Sequence, residues 1–154
     1  MNRITRTYTQ HIDAPPADVF PLICPVREAE WLDGWTYELI HSVSGFAERG
    51  CVFRTQPPAE PETIWIITQH DPGAGLVEFA RVTAGLVATR LEIRVEPADG
   101  ASLVHITYDF SPTSEAGVRM VNERQSPDAF RASMEWWERS MNHFLRTGAT
   151  LRHS

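Results

Sequence analysis

One stretch near the C-terminus carries a helical period long enough to cover a large sheet, and it limits the folds open to this chain. Ser126-Pro127-Asp128 reads as an N-cap followed by the first helical turn. A Ser hydroxyl accepts from the free N–H groups of that turn, Pro has no N–H to leave unpaired, and a carboxylate suits the positive end of the helix dipole. Phe130, Met134, Trp137, Met141, Phe144 and Leu145 then recur at three- and four-residue steps on one face. Arg146 falls in the last turn, and Gly148 is placed to close it. About 20 residues at 1.5 Å each give a rod of roughly 30 Å.

Most of what precedes this helix reads as strands. In residues 3–13, Ile4, Arg6, Tyr8, Gln10 and Ile12 share one face, and Thr5, Thr7, Thr9 and His11 share the other. Asp13-Ala14-Pro15-Pro16 stops that strand and opens a short helix carrying Val19, Phe20, Leu22 and Ile23, bent or cut short by Pro21 and ended by Pro25. Residues 26–35 are expected to make a further one or two turns before the Asp33-Gly34 turn signal. Strands are predicted at 37–44, 50–56, 63–70, 76–83, 86–97 and 102–111, the last two joined at Asp99-Gly100. Leu91, Ile93 and Val95 oppose Arg90, Glu92, Arg94 and Glu96. Val104, Ile106, Tyr108 and Phe110 oppose His105, Thr107 and Asp109. Each pattern is that of an antiparallel sheet with one wet and one covered face. Residues 114–124 are expected to form a shorter helix, and the last few residues to fray. Seven hairpin-linked strands expose a broad apolar face that only the long helix can cover, giving an α+β fold.

The 154 residues fit one domain spanning 1–154. A net charge of −6 argues against nucleic acid or an anionic membrane as the main partner. There is no signal-type apolar leader and no run long enough to span a bilayer, so a cytoplasmic location is expected. Cys24 and Cys51 sit among apolar neighbours and read as small buried hydrophobes rather than a disulfide.

The opening strand followed by Ile12-Asp13-Ala14-Pro15-Pro16-Ala17-Asp18-Val19-Phe20, the segment from Cys24 to Trp35, and the close Met141-Asn142-His143-Phe144-Leu145-Arg146 resemble the START-related superfamily. That superfamily (SRPBCC) includes polyketide cyclases, aromatic-ring hydroxylase subunits and lipid-transfer proteins, and the middle segment is similar to a bacterial branch without an assigned activity. The resemblance covers nearly the whole chain. It implies a helix-grip fold: a curved seven-stranded antiparallel sheet around the C-terminal helix, two short helices between strands 1 and 2, and a hydrophobic cavity between sheet and helix. It carries over no catalytic residue, because the fold hosts carriers, receptors and enzymes alike.

Several side chains are candidates for such a cavity. Trp31, Trp35, Trp65, Phe79, Tyr108, Phe130, Met134, Trp137 and Met141 suit a flat or flexible apolar ligand, or else fill a packed core. Arg81 shares a strand face with Phe79. If that face looks inward, the guanidinium needs a carboxylate from Glu28, Glu30 or a ligand; otherwise Arg81 is a surface group near a strand end. Tyr108, Arg81, Glu28 and His41 are the candidate acid–base groups. Cys24, Glu28, Glu30 and His41 have the atoms for zinc but not the spacing, so no metal and no cofactor are expected. No phosphate loop, nucleophile elbow or zinc-protease motif occurs. Trp136 lies to one side of the helix stripe and packs under a sheet edge or in a homodimer contact. The expected function is binding of a hydrophobic small molecule such as a lipid or polyketide-like compound. The alternatives are a cyclase, aromatase or dehydratase-like enzyme using the same cavity, and a co-chaperone-like interaction module with a filled cavity.

Overall fold

The structure, a computed structural model, describes residues 2–153. Strand β1 (Ile4–Ile12) is followed by α1 (Pro16–Val19), a 3-10 turn (Phe20–Leu22) and α2 (Pro25–Trp31). The strands β2 (Glu38–His41), β3 (Val52–Thr55), β4 (Thr63–Asp71), β5 (Leu76–Thr83), β6 (Val87–Ala98) and β7 (Ala101–Pro112) come next, then α3 (Glu115–Arg124) and α4 (Pro127–Thr147). All seven strands form one antiparallel sheet in the order β1-β7-β6-β5-β4-β3-β2. This is the helix-grip arrangement, so the expected fold class holds. Pro21 ends α1 after one turn, and the chain continues as a 3-10 turn.

Local chemistry sets these elements. The β6–β7 hairpin turns on Asp99 and Gly100, with φ of 50° and 82°, as a two-residue turn between right-twisted strands requires. The register slips between Leu39 and His41 in β2 and between Ile67 and Gln69 in β4. Such bulges bend a strand and help the sheet curl. Ser126 caps α4 by accepting from the Ala129 N–H, and Gly148 closes it in the left-handed conformation. Ser114 caps α3 in the same way.

Helix α4 grips the sheet along the edge strand β1. Glu138 accepts from the Tyr8 hydroxyl at 2.9 Å and from the His11 N–H at 2.6 Å. The Asn142 side chain accepts from the Asp13 N–H and donates to the His11 carbonyl. The Gln10 amide donates to the Met134 carbonyl. Four helix residues advance about 6 Å and two strand residues about 6.7 Å, so 134, 138 and 142 can follow β1 in step. The outward backbone N–H and carbonyl of His11, near the end of the edge strand, are thereby occupied.

The covered face of the sheet, α2, α3 and α4 share one apolar core. The wet face carries ion pairs centred on Arg90, which reaches Glu78, Glu92 and Asp109. No helix among the described residues is long and apolar enough to cross a membrane.

One expectation fails at the C-terminus. Residues 151–153 are tied down rather than frayed: Leu151 bridges to Leu32, and Arg152 and the His153 N–H both bind the Asp33 carboxylate. Trp136 is half-buried on one side of α4. Its ring stacks on His153 at 3.9 Å, because the returning tail covers that side of α4.

Candidate functional site

Strand pleating decides which side chains meet inside. Val77, Phe79 and Thr83 of β5 are buried, so Arg81, which has the same parity, also points inward. The register then builds a cross-strand row of Trp65, Arg81, Thr89 and Phe110 from four neighbouring strands. The next row is Ile67, Phe79, Leu91 and Tyr108. The Arg81 guanidinium lies over the rings of Trp65, Tyr108 and Phe110, at 4.8, 5.3 and 5.9 Å from their centroids. Each cation–π contact of this kind contributes about 0.5–2 kcal/mol.

The row faces a hollow of about 580 Å³. Its sheet wall is Thr55, Trp65, Arg81, Thr83, Val87 and Phe110, with Trp35 beside it. Its helical wall is Met120, Val121, Arg124 and Gln125 of α3 and the α3–α4 junction. The hollow opens between residues 34–36 and the β3–β4 loop. Arg124 on one lip pairs with Glu60 on the other at 3.1 Å.

Three titratable groups follow one another inward, Arg81 in the wall, Tyr108 against Arg81 and Glu28 near Tyr108, each shifted first by burial. Arg81 is lowered, although the nearby Tyr108 hydroxyl opposes the change. Tyr108 is raised; the Arg81 charge acts against that shift and the Glu28 carboxyl adds to it. Glu28, on α2, is pushed up from 4.5 to about 8 by burial alone. The Thr89 hydroxyl is buried without a protein partner.

This placement separates the candidate residues. Trp35, Trp65 and Arg81 are in the wall of the hollow, and Tyr108 lies against the Arg81 side chain. Phe79 packs edge-on against Trp65, and Phe130 edge-on against Tyr108. Trp31, Met134, Trp137 and Met141 are core residues behind the wall. Trp31 stacks on Trp137 and spends its indole N–H on the Leu22 carbonyl. The hollow therefore lies under α3 and the α3–α4 junction rather than along α4, whose apolar stripe is consumed in packing. Neither glutamate suggested as a partner pairs with Arg81: Glu30 is exposed and binds Arg27 at 2.7 Å, and Glu28 feels no charge from Arg81.

A family model described as polyketide cyclase / dehydrase and lipid transport matches residues 3–142. The chain belongs to that family. Solved structures with the same fold include norcoclaurine synthase from Thalictrum flavum, at 12% identity and TM-score 0.70, covering 95% of this chain and 88% of that one. The Zhui aromatase/cyclase from Streptomyces sp. R1128 has 14% identity and TM-score 0.67, with 97% and 100% covered. Ara h 8.0201 has 14% identity and TM-score 0.66, with 95% and 99% covered. At these identities the likeness is one of fold. No curated protein matches the chain in sequence.

The other candidate groups do not converge within this family member. His41 is exposed on β2, whereas Cys24 is buried and accepts a hydrogen bond from the Ala47 N–H. Cys24 and Cys51 are both free and buried. Among the described residues, no three His, Cys, Asp or Glu side chains gather as a metal ion would need. Sequence reasoning placed the helix at 114–124 but missed its part in the wall, and it missed the mouth pair Glu60–Arg124. Residues 60 and 124 meet only in the folded chain, and no local pattern announces that.

Proposed function

We propose that this chain binds an apolar small molecule, such as a lipid or polyketide-like compound, in the hollow between sheet and α3, for transport or sequestration. The observation that carries the reading is the hollow itself. About 580 Å³ is in the usual range for a small-ligand site, and Trp35, Trp65 and Phe110 give it an aromatic wall. Aromatic rings offer large apolar contact at low entropic cost. The family description, which includes lipid transport, agrees with this reading.

The test is to denature the purified protein, extract it with organic solvent and identify the compound released by mass spectrometry. The reading expects one apolar compound in near-stoichiometric amount, or, from protein purified empty, uptake of the neutral dye Nile red at one site per chain. Protein that releases nothing and takes up no dye would refute it.

A second reading, an enzyme acting in the same hollow, is favoured by one specific observation. A carboxyl that holds its proton up to about pH 8, Glu28, shares an interior with the Tyr108 hydroxyl and the Arg81 cation. An acid of that strength is suited to moving protons near neutrality, and a nearby cation to stabilising an enolate. Dehydration of an aryl β-hydroxyketone, followed by the absorbance of the conjugated enone, tests it. No rate above buffer would remove it. The interaction-module reading expects a filled interior and a large exposed apolar patch, and the hollow counts against the first of these.

A further inference from the structure

We infer that the molecule bound in the hollow carries a carboxylate or similar planar anionic group, and that Arg81 holds it. This rests on the proposal that the hollow takes a ligand, and it adds the chemical class and the orientation. Arg81 sits in the wall with its guanidinium carbon over the rings of Trp65, Tyr108 and Phe110. Those cation–π contacts offer no lone-pair acceptor. They leave the in-plane N–H donors, five in a guanidinium, unanswered. By contrast, Arg27, Arg54, Arg90, Arg124 and Arg152 each reach a carboxylate at the surface. Among the described residues Arg81 enters no ion pair and no hydrogen bond, even though burial disfavours its charge.

Among the described residues, no carboxylate is available to it. Glu60, at the mouth, is engaged by Arg124. Glu28 keeps its proton up to about pH 8, so at neutrality it offers a neutral carboxyl and no counter-charge. A second unpartnered group lies beside it: Thr89, directly across the β5–β6 register from Arg81, is 4% exposed, and its hydroxyl has no partner. A guanidinium fork matches a carboxylate with two parallel N–H···O bonds. A ligand with an apolar body against Trp35 and Trp65 and an acid group at Arg81 would satisfy both halves of the wall.

The experiment uses a matched pair of probes, 1-pyrenebutyric acid and its methyl ester, read by energy transfer from the tryptophans, with Nile red as a neutral reporter of the hollow. Wild type, Arg81→Met and Arg81→Lys are compared after circular dichroism shows each variant folded. The inference expects wild type to prefer the acid by about tenfold or more. Arg81→Met should lose that preference, its affinity falling far more for the acid than for the ester or Nile red, and Arg81→Lys should keep part of it. Equal binding of acid and ester by wild type, or a preference that survives Arg81→Met, overturns it. The wild-type comparison decides even if Arg81→Met does not fold. Nile red bound with no preference for the acid defeats the head-group assignment alone; no binding of any probe defeats the hollow as a ligand site as well.

Discussion

Replacing Glu28 by Gln should make the protein more resistant to unfolding at alkaline pH and leave it nearly unchanged at acid pH. The reasoning starts from burial, which raises the Glu28 carboxyl from 4.5 to about 8 in the folded chain. Above pH 4.5 the unfolded chain gives up that proton while the folded chain keeps it to about pH 8. Over this window the folded state binds one proton more than the unfolded state, so stability falls as pH rises. Below the window the contribution is intact, and above it the loss is complete. One pH unit is worth about 1.36 kcal/mol, and the window of roughly 3.5 units therefore sets a ceiling of about 5 kcal/mol. Gln has nearly the same shape and cannot ionise, so the variant lacks this slope. Other carboxyls titrate alike in both proteins and cancel in the difference. Urea unfolding followed by tryptophan fluorescence at pH 5, 7 and 9 measures it. We expect Glu28→Gln to exceed wild type by about 2–5 kcal/mol at pH 9 and by much less at pH 5. A difference that stays constant with pH, or a variant weaker than wild type at pH 9, would refute the account of Glu28 as a buried acid.

Other expectations concern packing and the mouth. A Cβ at Gly117 of α3 would overlap the Leu86 carbonyl oxygen in the β5–β6 turn, so Gly117→Ala should cost about 2–4 kcal/mol, read as a fall in the urea midpoint. The thiols of Cys24 and Cys51 are buried, and burial lifts Cys51 to about 11. Both should resist a thiol reagent at pH 8 in native protein and react fully in concentrated guanidinium; fast native labelling would contradict their placement. Glu60→Ala removes a half-exposed pair across the mouth and should change stability by less than about 1 kcal/mol. It should speed ligand release in stopped-flow, and an unchanged release rate would show that the pair does not gate entry.

The parts of this fold legible in the sequence are those set by local chemistry. Ser126, the Phe130-to-Leu145 stripe and Gly148 mark α4 because caps and helical period act within a few residues. Asp99-Gly100 marks its hairpin because few residues adopt positive φ twice in succession. The parity of Arg81 with Phe79 was legible, but which face of β5 looks inward was left open and is settled by the burial of Val77, Phe79 and Thr83. The use of each tryptophan was not legible. Trp31 and Trp35 both occupy an aromatic-rich segment, yet Trp31 is sealed in the core and Trp35 borders the hollow. That division depends on how α2 settles between sheet and α4, which no local pattern encodes. The partial burial of Glu28 has the same origin; the sequence offered it only as a candidate partner for Arg81 or acid–base group. The C-terminal tail looked loose because its anchor, Asp33, lies more than a hundred residues earlier in the chain.

The central claim is that the space between sheet and α3 takes an apolar molecule, and filling that space tests it most directly. Val87 is 5% exposed and lines the hollow, so Val87→Phe should place a ring where the ligand sits. Nile red titration of wild type and Val87→Phe, with thermal unfolding in parallel, is the measurement. The account predicts one site per wild-type chain and at least about tenfold weaker binding by a variant that unfolds no earlier. Equal affinity in a well-folded variant would place the dye elsewhere and contradict the account.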